Sequence, residues 1–191
     1  MFSDTDLYRA AGASTVVAIV ALVAAGIALA LFFGGAGYFW GPVNDLFLVV
    51  TVLALILPIL AVDRLAGANG VGWIRIVTVA AILGSLLIAT GQMLLVLGVI
   101  ELQTSFVTGG VGFIPIVVWL VAMVVLAFGS GALPAPIGWA AAGVLALIVV
   151  EAVVGMATSG PLLWVASVGL LAALVAWLWV LSSALLSRAA A

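Results

Sequence analysis

The feature that most constrains this chain is the length of its apolar runs. Apolar residues collect in six stretches, over residues 12–33, 44–62, 73–101, 111–129, 137–158 and 161–186. At an α-helical rise of about 1.5 Å per residue, each can cross a hydrocarbon layer about 30 Å thick. A transmembrane barrel would instead show segments of about ten residues with alternating polarity; these runs are continuous. The expected fold is all-α, a single domain over residues 1–191 built as a bundle of six transmembrane helices. Charge content agrees with this. Only 5% of the 191 residues are charged and 69% are hydrophobic, whereas a soluble domain carries about 25% charged residues. So few charges cannot cover a water-facing surface, and the lipid bilayer is the expected solvent.

The breaks between runs carry turn chemistry. They read GGAGYFWGP (34–42), DRLAGANGVG (63–72), QTSFVTGG (103–110), GSGALPAP (129–136) and TSGP (158–161). With six spans, Arg9, Arg64, Arg75 and Arg188 all fall on one side and Asp45 and Glu101 on the other. Arginine bias sets orientation, so a multi-pass plasma-membrane protein with cytoplasmic N- and C-termini is expected. Asp4 and Asp6, beside Ser3 and Thr5, read as a short capped helix on the membrane surface. Asp63 beside Arg64 reads as a surface ion pair. Trp40 and Trp164 suit the outer interface, and Trp73, Trp139, Trp177 and Trp179 the inner one; Trp119, near mid-span, is the exception. The first run exceeds the apolar core of a cleaved signal peptide, which is about 7–15 residues, so it is expected to be retained.

In lipid, helices associate by close packing, and small residues mark the seams. Gly26, Ala30 and Gly34 recur every four residues in the first span. Gly84, Gly91 and Gly98 recur every seven in the third, and Ala166, Gly169, Ala173 and Ala176 form a similar stripe in the sixth. Thr78, Ser85 and Gln92 share one face of the third span, and Asn44, Thr51 and Pro58 one face of the second. Interhelical hydrogen bonding is the leading reading of these polar rows, and a polar cavity lining the other. Pro58 and Pro115 are expected to kink or cap their helices, since each removes an internal hydrogen bond.

The residue inventory excludes much chemistry. The chain has no cysteine, histidine or lysine. Thiolate chemistry, histidine-ligated metal or haem, Schiff-base cofactors and histidine-based triads are therefore out of reach. No enzyme activity, cofactor or metal is expected. A net charge of −2 argues against nucleic acid. Richness in alanine, glycine, valine and leucine, with arginine but no lysine, points to a GC-rich bacterial or archaeal genome.

Glu151 is the most conspicuous residue, a carboxylate within IVVEAVVG (148–155). Acids inside spans are costly, usually face the bundle interior or a wet cavity, and are functional candidates. Three readings compete: a protonated group bonded to a neighbouring helix, an ionised group attracting a cation or amine, or a proton-exchanging group in a transporter. Asp45 and Glu101 fall on the same side, so three carboxylates are expected to converge on one vestibule, with Gln92 the other polar residue at depth. Asp45 after Asn44 also reads as a helix N-cap, and Glu101 as the end of the third span. The candidate ligand or ion residues are thus Glu151, Gln92, Glu101 and Asp45.

The stretch ALPAPIGWAAAGVLALIV (132–149) resembles the Leu-Pro entry and alanine- and glycine-rich span of small bacterial six-span membrane proteins of unknown function. That resemblance implies a six-helix integral membrane protein and brings no activity with it. The leading expectation is a non-catalytic protein that binds a partner membrane protein or a lipidic ligand; beside the lipid bilayer, the partners considered are another membrane protein or a homo-oligomer. The alternative is a small cation- or proton-coupled transporter or channel with Glu151 as titrating site. The cysteine-free chain allows a direct test of topology. A cysteine placed at Gly37 should react with a membrane-impermeant maleimide in intact cells, and one at Ser187 only after permeabilisation; the reverse pattern inverts the orientation.

Overall fold

The computed structural model describes residues 3–157 and 160–190. Among them, all regular structure is helical: α1 (Asp4–Phe33), α2 (Trp40–Ala54), α3 (Ile56–Ala68), α4 (Ile74–Val96), α5 (Leu102–Phe128), α6 (Ala135–Ala157) and α7 (Pro161–Ala190). Helices α2 and α3 run on as one span, giving six helical stretches long and apolar enough to cross a membrane. Thr158 and Ser159 of the expected TSGP turn lie outside the described residues.

α1, α2, α5 and α6 start before their apolar runs, and α3 and α7 continue past theirs, whereas α4 stops short, at Val96. Ser3 caps α1: its Oγ accepts the Asp6 N–H at 3.1 Å and donates to Asp6 Oδ2 at 2.6 Å. Asp4 and Asp6 therefore sit in the first turn of α1, where acids suit the helix dipole, and not on a separate surface helix. Its 30 residues make α1 about 45 Å long. The expected QTSFVTGG break is helical from Leu102. There the Thr108 hydroxyl bonds back to the carbonyls of Thr104 (3.1 Å) and Ser105 (3.0 Å), which suits hydroxyl residues to a helix interior without water. Gly98, expected as a packing residue, instead ends α4: with φ +70° it lets the Val99 N–H reach the Leu94 carbonyl at 2.9 Å. Gly70, at φ +77°, ends α3 in the same way.

Pro58 has no N–H to offer the carbonyl of Ala54, and the helix breaks at Leu55, between α2 and α3. The orphaned Ala54 oxygen accepts instead from Ser14 Oγ on α1, at 2.6 Å. The freed acceptor thus becomes a tie between spans. Pro115 lies inside a continuous α5.

The main contacts close the helices into a ring in chain order. α1 packs on α2–α3, α3 and α2 on α4, α4 on α5, α5 on α6, α6 on α7, and α7 back on α1. Glycine sets the closest approaches. A Cβ on Gly84 would run into the carbonyl oxygen of Gly112, and one on Gly112 would lie 2.7 Å from the oxygen of Gly84. Gly91 abuts Thr108, Gly12 abuts Leu186 and Gly26 abuts Leu171. Gly169 meets nothing within 4 Å. The small-residue faces of α1 and α7 are therefore spent largely on each other, and Ser182 Oγ adds a 2.9 Å bond to the Gly12 carbonyl.

One half of the ring is filled. Ile59, Val62, Trp119, Met123, Leu126, Trp177, Leu178 and Leu181 are buried in a continuous apolar core. Trp119 and Trp177 meet edge to face, with ring centroids 5.7 Å apart. Trp177 therefore belongs to the core and not to the interface, and the mid-span position of Trp119 is explained by this pairing. Trp73, Trp139 and Trp179 are exposed, as the interfacial reading expects. The bundle exterior is apolar along its length, with Val20, Ile27, Ile76, Leu83, Ile114 and Val165 all exposed.

Gly84→Leu should force α4 from α5 and destabilise the fold by about 1–3 kcal/mol or more. Gly169→Ala, in open space, should be neutral or stabilising by up to about 1 kcal/mol. Unfolding in SDS titrations measures both; equal effects would contradict the crossing described here.

Candidate functional site

The four arginines gather at one end of the ring. Arg64 Nε lies 2.9 Å from Asp4 Oδ1. Arg9 and Arg188 flank the contact between Gly12 and Leu186. Asp63 does not pair with Arg64, contrary to the sequence reading. Neighbouring helical side chains point about 100° apart, so Asp63 turns inward, 7% exposed, while Arg64 turns out. Asp63 instead takes Arg75 Nε at 3.0 Å and the Thr78 hydroxyl at 3.3 Å. This binds α3 to α4 beneath their connection. Thr78 thus makes an interhelical bond, while Ser85 bonds back to Ala81 of its own helix at 3.0 Å.

The opposite half of the ring holds a partly open cavity of about 610 Å³ to which all six spans contribute. Leucines and phenylalanines make about half of the wall, and Ala25, Gly26 and Gly41 leave room between them. Trp164 stands at the wall, edge-on to Phe33 at 5.6 Å. Asn44, Asp45, Gln92, Ser105, Glu151 and Ser167 supply the polar groups. Asn44 and Asp45 do not cap a helix, because α2 already starts at Trp40. That shift of four residues carries Asp45 to the cavity wall, where its Oδ1 accepts from Asn44 Nδ2 at 3.1 Å.

Glu151, six residues before the end of α6, is half-buried, and its Oε1 accepts from the Ser167 hydroxyl of α7 at 2.6 Å. The carboxylate is tied to a neighbouring helix and also lines the cavity. Gln92 lines the same cavity, and among the described residues its buried Oε1 has no hydrogen-bond partner. Glu101 stands apart. It precedes α5 as an exposed N-cap residue without a side-chain cap bond, outside the cavity lining. The ring thus brings Asp45, Gln92 and Glu151 together and leaves Glu101 out. Among the described residues, no three acids lie close enough to hold a metal ion.

Ser167 and Ser105 were not singled out by the sequence reading. For Ser167 the signal is a hydroxyl alone in an apolar span, but its partner Glu151 on α6 is not readable from spacing; Ser105 is hidden among the polar residues of QTSF.

Six apolar helices closed into a ring with an apolar exterior define a polytopic integral membrane protein. Compared with protein-family models, curated proteins and solved structures, the chain matches none.

The polar wall makes two opposed predictions. Ser167→Ala should cost about 0.6 kcal/mol, the usual worth of an interhelical bond in a membrane. Gln92→Leu, which removes an unsatisfied buried oxygen, should be neutral or stabilising. Unfolding free energies in mixed micelles test both, and a large loss on Gln92→Leu would show that the amide has a partner.

Proposed function

We propose that the protein is a non-catalytic binder of a lipidic or amphipathic ligand, held in the cavity at the arginine-free end of the ring. The observation that carries this reading is the cavity itself. Its volume of about 610 Å³ falls within the usual range of small-molecule sites, roughly 300–1,000 Å³, and its wall has their usual character, apolar with a few placed polar groups. The chain offers no histidine, cysteine or lysine for catalysis. The arginine distribution supports a plasma-membrane orientation with both termini cytoplasmic, which turns the cavity outward.

A partner membrane protein docking through the small-residue faces of α1 or α7 has less support, because Gly12 and Gly26 already pack against α7. Cation or proton coupling through Glu151 draws support from its place in the cavity wall. Against it stands the packed half of the ring, where Trp119 and Met123 are fully buried across any path to the arginine end.

Native mass spectrometry in a mild detergent tests the binding reading. The parent should retain a lipidic molecule, while Ser105→Trp and Leu48→Trp, which fill the cavity, should lose it and remain folded by circular dichroism. An empty parent, or retention unchanged in both folded variants, would contradict the proposal.

A further inference from the structure

We infer that the ligand's polar group is a cation, an amine on an apolar chain, and that the carboxylates of Asp45 and Glu151 receive it. This rests on the binding reading above and adds the chemistry of the head group. The cavity wall carries two carboxylates, Asp45 and Glu151, and no cationic residue. The arginines are held at the far end, two of them in ion pairs with Asp4 and Asp63. A carboxylate or phosphate head group would enter a low-dielectric wall with like charges and no counter-charge, which is unfavourable.

The hydrogen-bonding inventory points the same way. Glu151 Oε1 is taken by Ser167 and Asp45 Oδ1 by Asn44, and a carboxylate has capacity for further donors at both oxygens. The site therefore has spare acceptors, and an ammonium group brings up to three donors and a positive charge. The rest of the wall, built from leucines and from Phe32, Phe33 and Phe106, suits an alkyl or aromatic body. A free metal cation would leave that apolar surface unused, and a zwitterionic phospholipid would bring a phosphate that no cationic side chain in the wall can meet.

The test uses the whole protein in phosphatidylcholine nanodiscs near neutral pH, with radiolabelled dodecylamine, dodecan-1-ol and dodecyl phosphate as probes and empty nanodiscs as blank. Dodecylamine should bind about tenfold or more tighter than dodecan-1-ol, as expected for a charge meeting carboxylates in an apolar wall, and dodecyl phosphate more weakly than either. Asp45→Asn and Glu151→Gln, close in shape to the parent residues, should each reduce the amine preference while alcohol binding persists. Retained alcohol binding shows that the variant is folded, and either variant that folds decides the point. Equal binding of amine and alcohol by the parent, or an amine preference unchanged in both variants, overturns the head-group assignment and leaves the binding reading intact. Binding of no probe to the folded parent overturns both.

Discussion

Lipid offers a polypeptide backbone no hydrogen bonds, so each amide and carbonyl within the bilayer must find its partner in the protein. The architecture follows from that requirement. It keeps the hydroxyl- and glycine-rich start of α5 helical, with Thr108 returning its hydroxyl to the carbonyls behind it. It makes the proline break between α2 and α3 a point of attachment, because the Ala54 carbonyl takes Ser14 of α1 as its donor. It also accounts for the left-handed glycines at the ends of α3 and α4, which let the last carbonyls be met locally.

A ring of six helices must then dispose of its middle. At the arginine end, the edge-to-face pair of Trp119 and Trp177 and the surrounding isoleucine, methionine and leucine side chains fill it. At the other end it stays open. Charge is divided along the same axis. Arginines with their partners Asp4 and Asp63 occupy the packed end, and Asp45 and Glu151, which have no ion pair among the described residues, line the open one. Packing and electrostatics thus distinguish the two ends independently, which is why one cavity combines an apolar wall with acceptor oxygens and lacks a counter-charge.

Much of this was legible in the sequence. Run length fixed the class and the number of spans, and arginine spacing gave the common end for all four cations. Glycine spacing found Gly26, Gly84 and Gly91 as contact points, because close approach leaves a compositional mark. Boundaries were less legible: α2 begins at Trp40 and α5 at Leu102, since turn-forming residues lose their preference where backbone groups cannot be hydrated. That error moved Asn44 and Asp45 from a cap to a wall. Pairings across helices were the least legible. Asp63 adjoins Arg64 in sequence but pairs with Arg75, and Glu151 finds Ser167 on the next helix, because partner choice depends on rotation about helix axes that spacing alone does not set.

The central claim is that the ring is open at the acidic end and sealed at the other. Cysteine accessibility in nanodiscs tests it most directly, and the chain has no native cysteine to interfere. Cysteines placed at Gln92 and Ser167, in the cavity wall, should react readily with a small cationic thiol reagent and more slowly with an anionic one of similar size. Cysteines at Ser85 and Ser182, both buried outside the cavity, should stay unreactive until the protein is unfolded. Protection of all four positions, or equal reactivity of all four, would contradict the account.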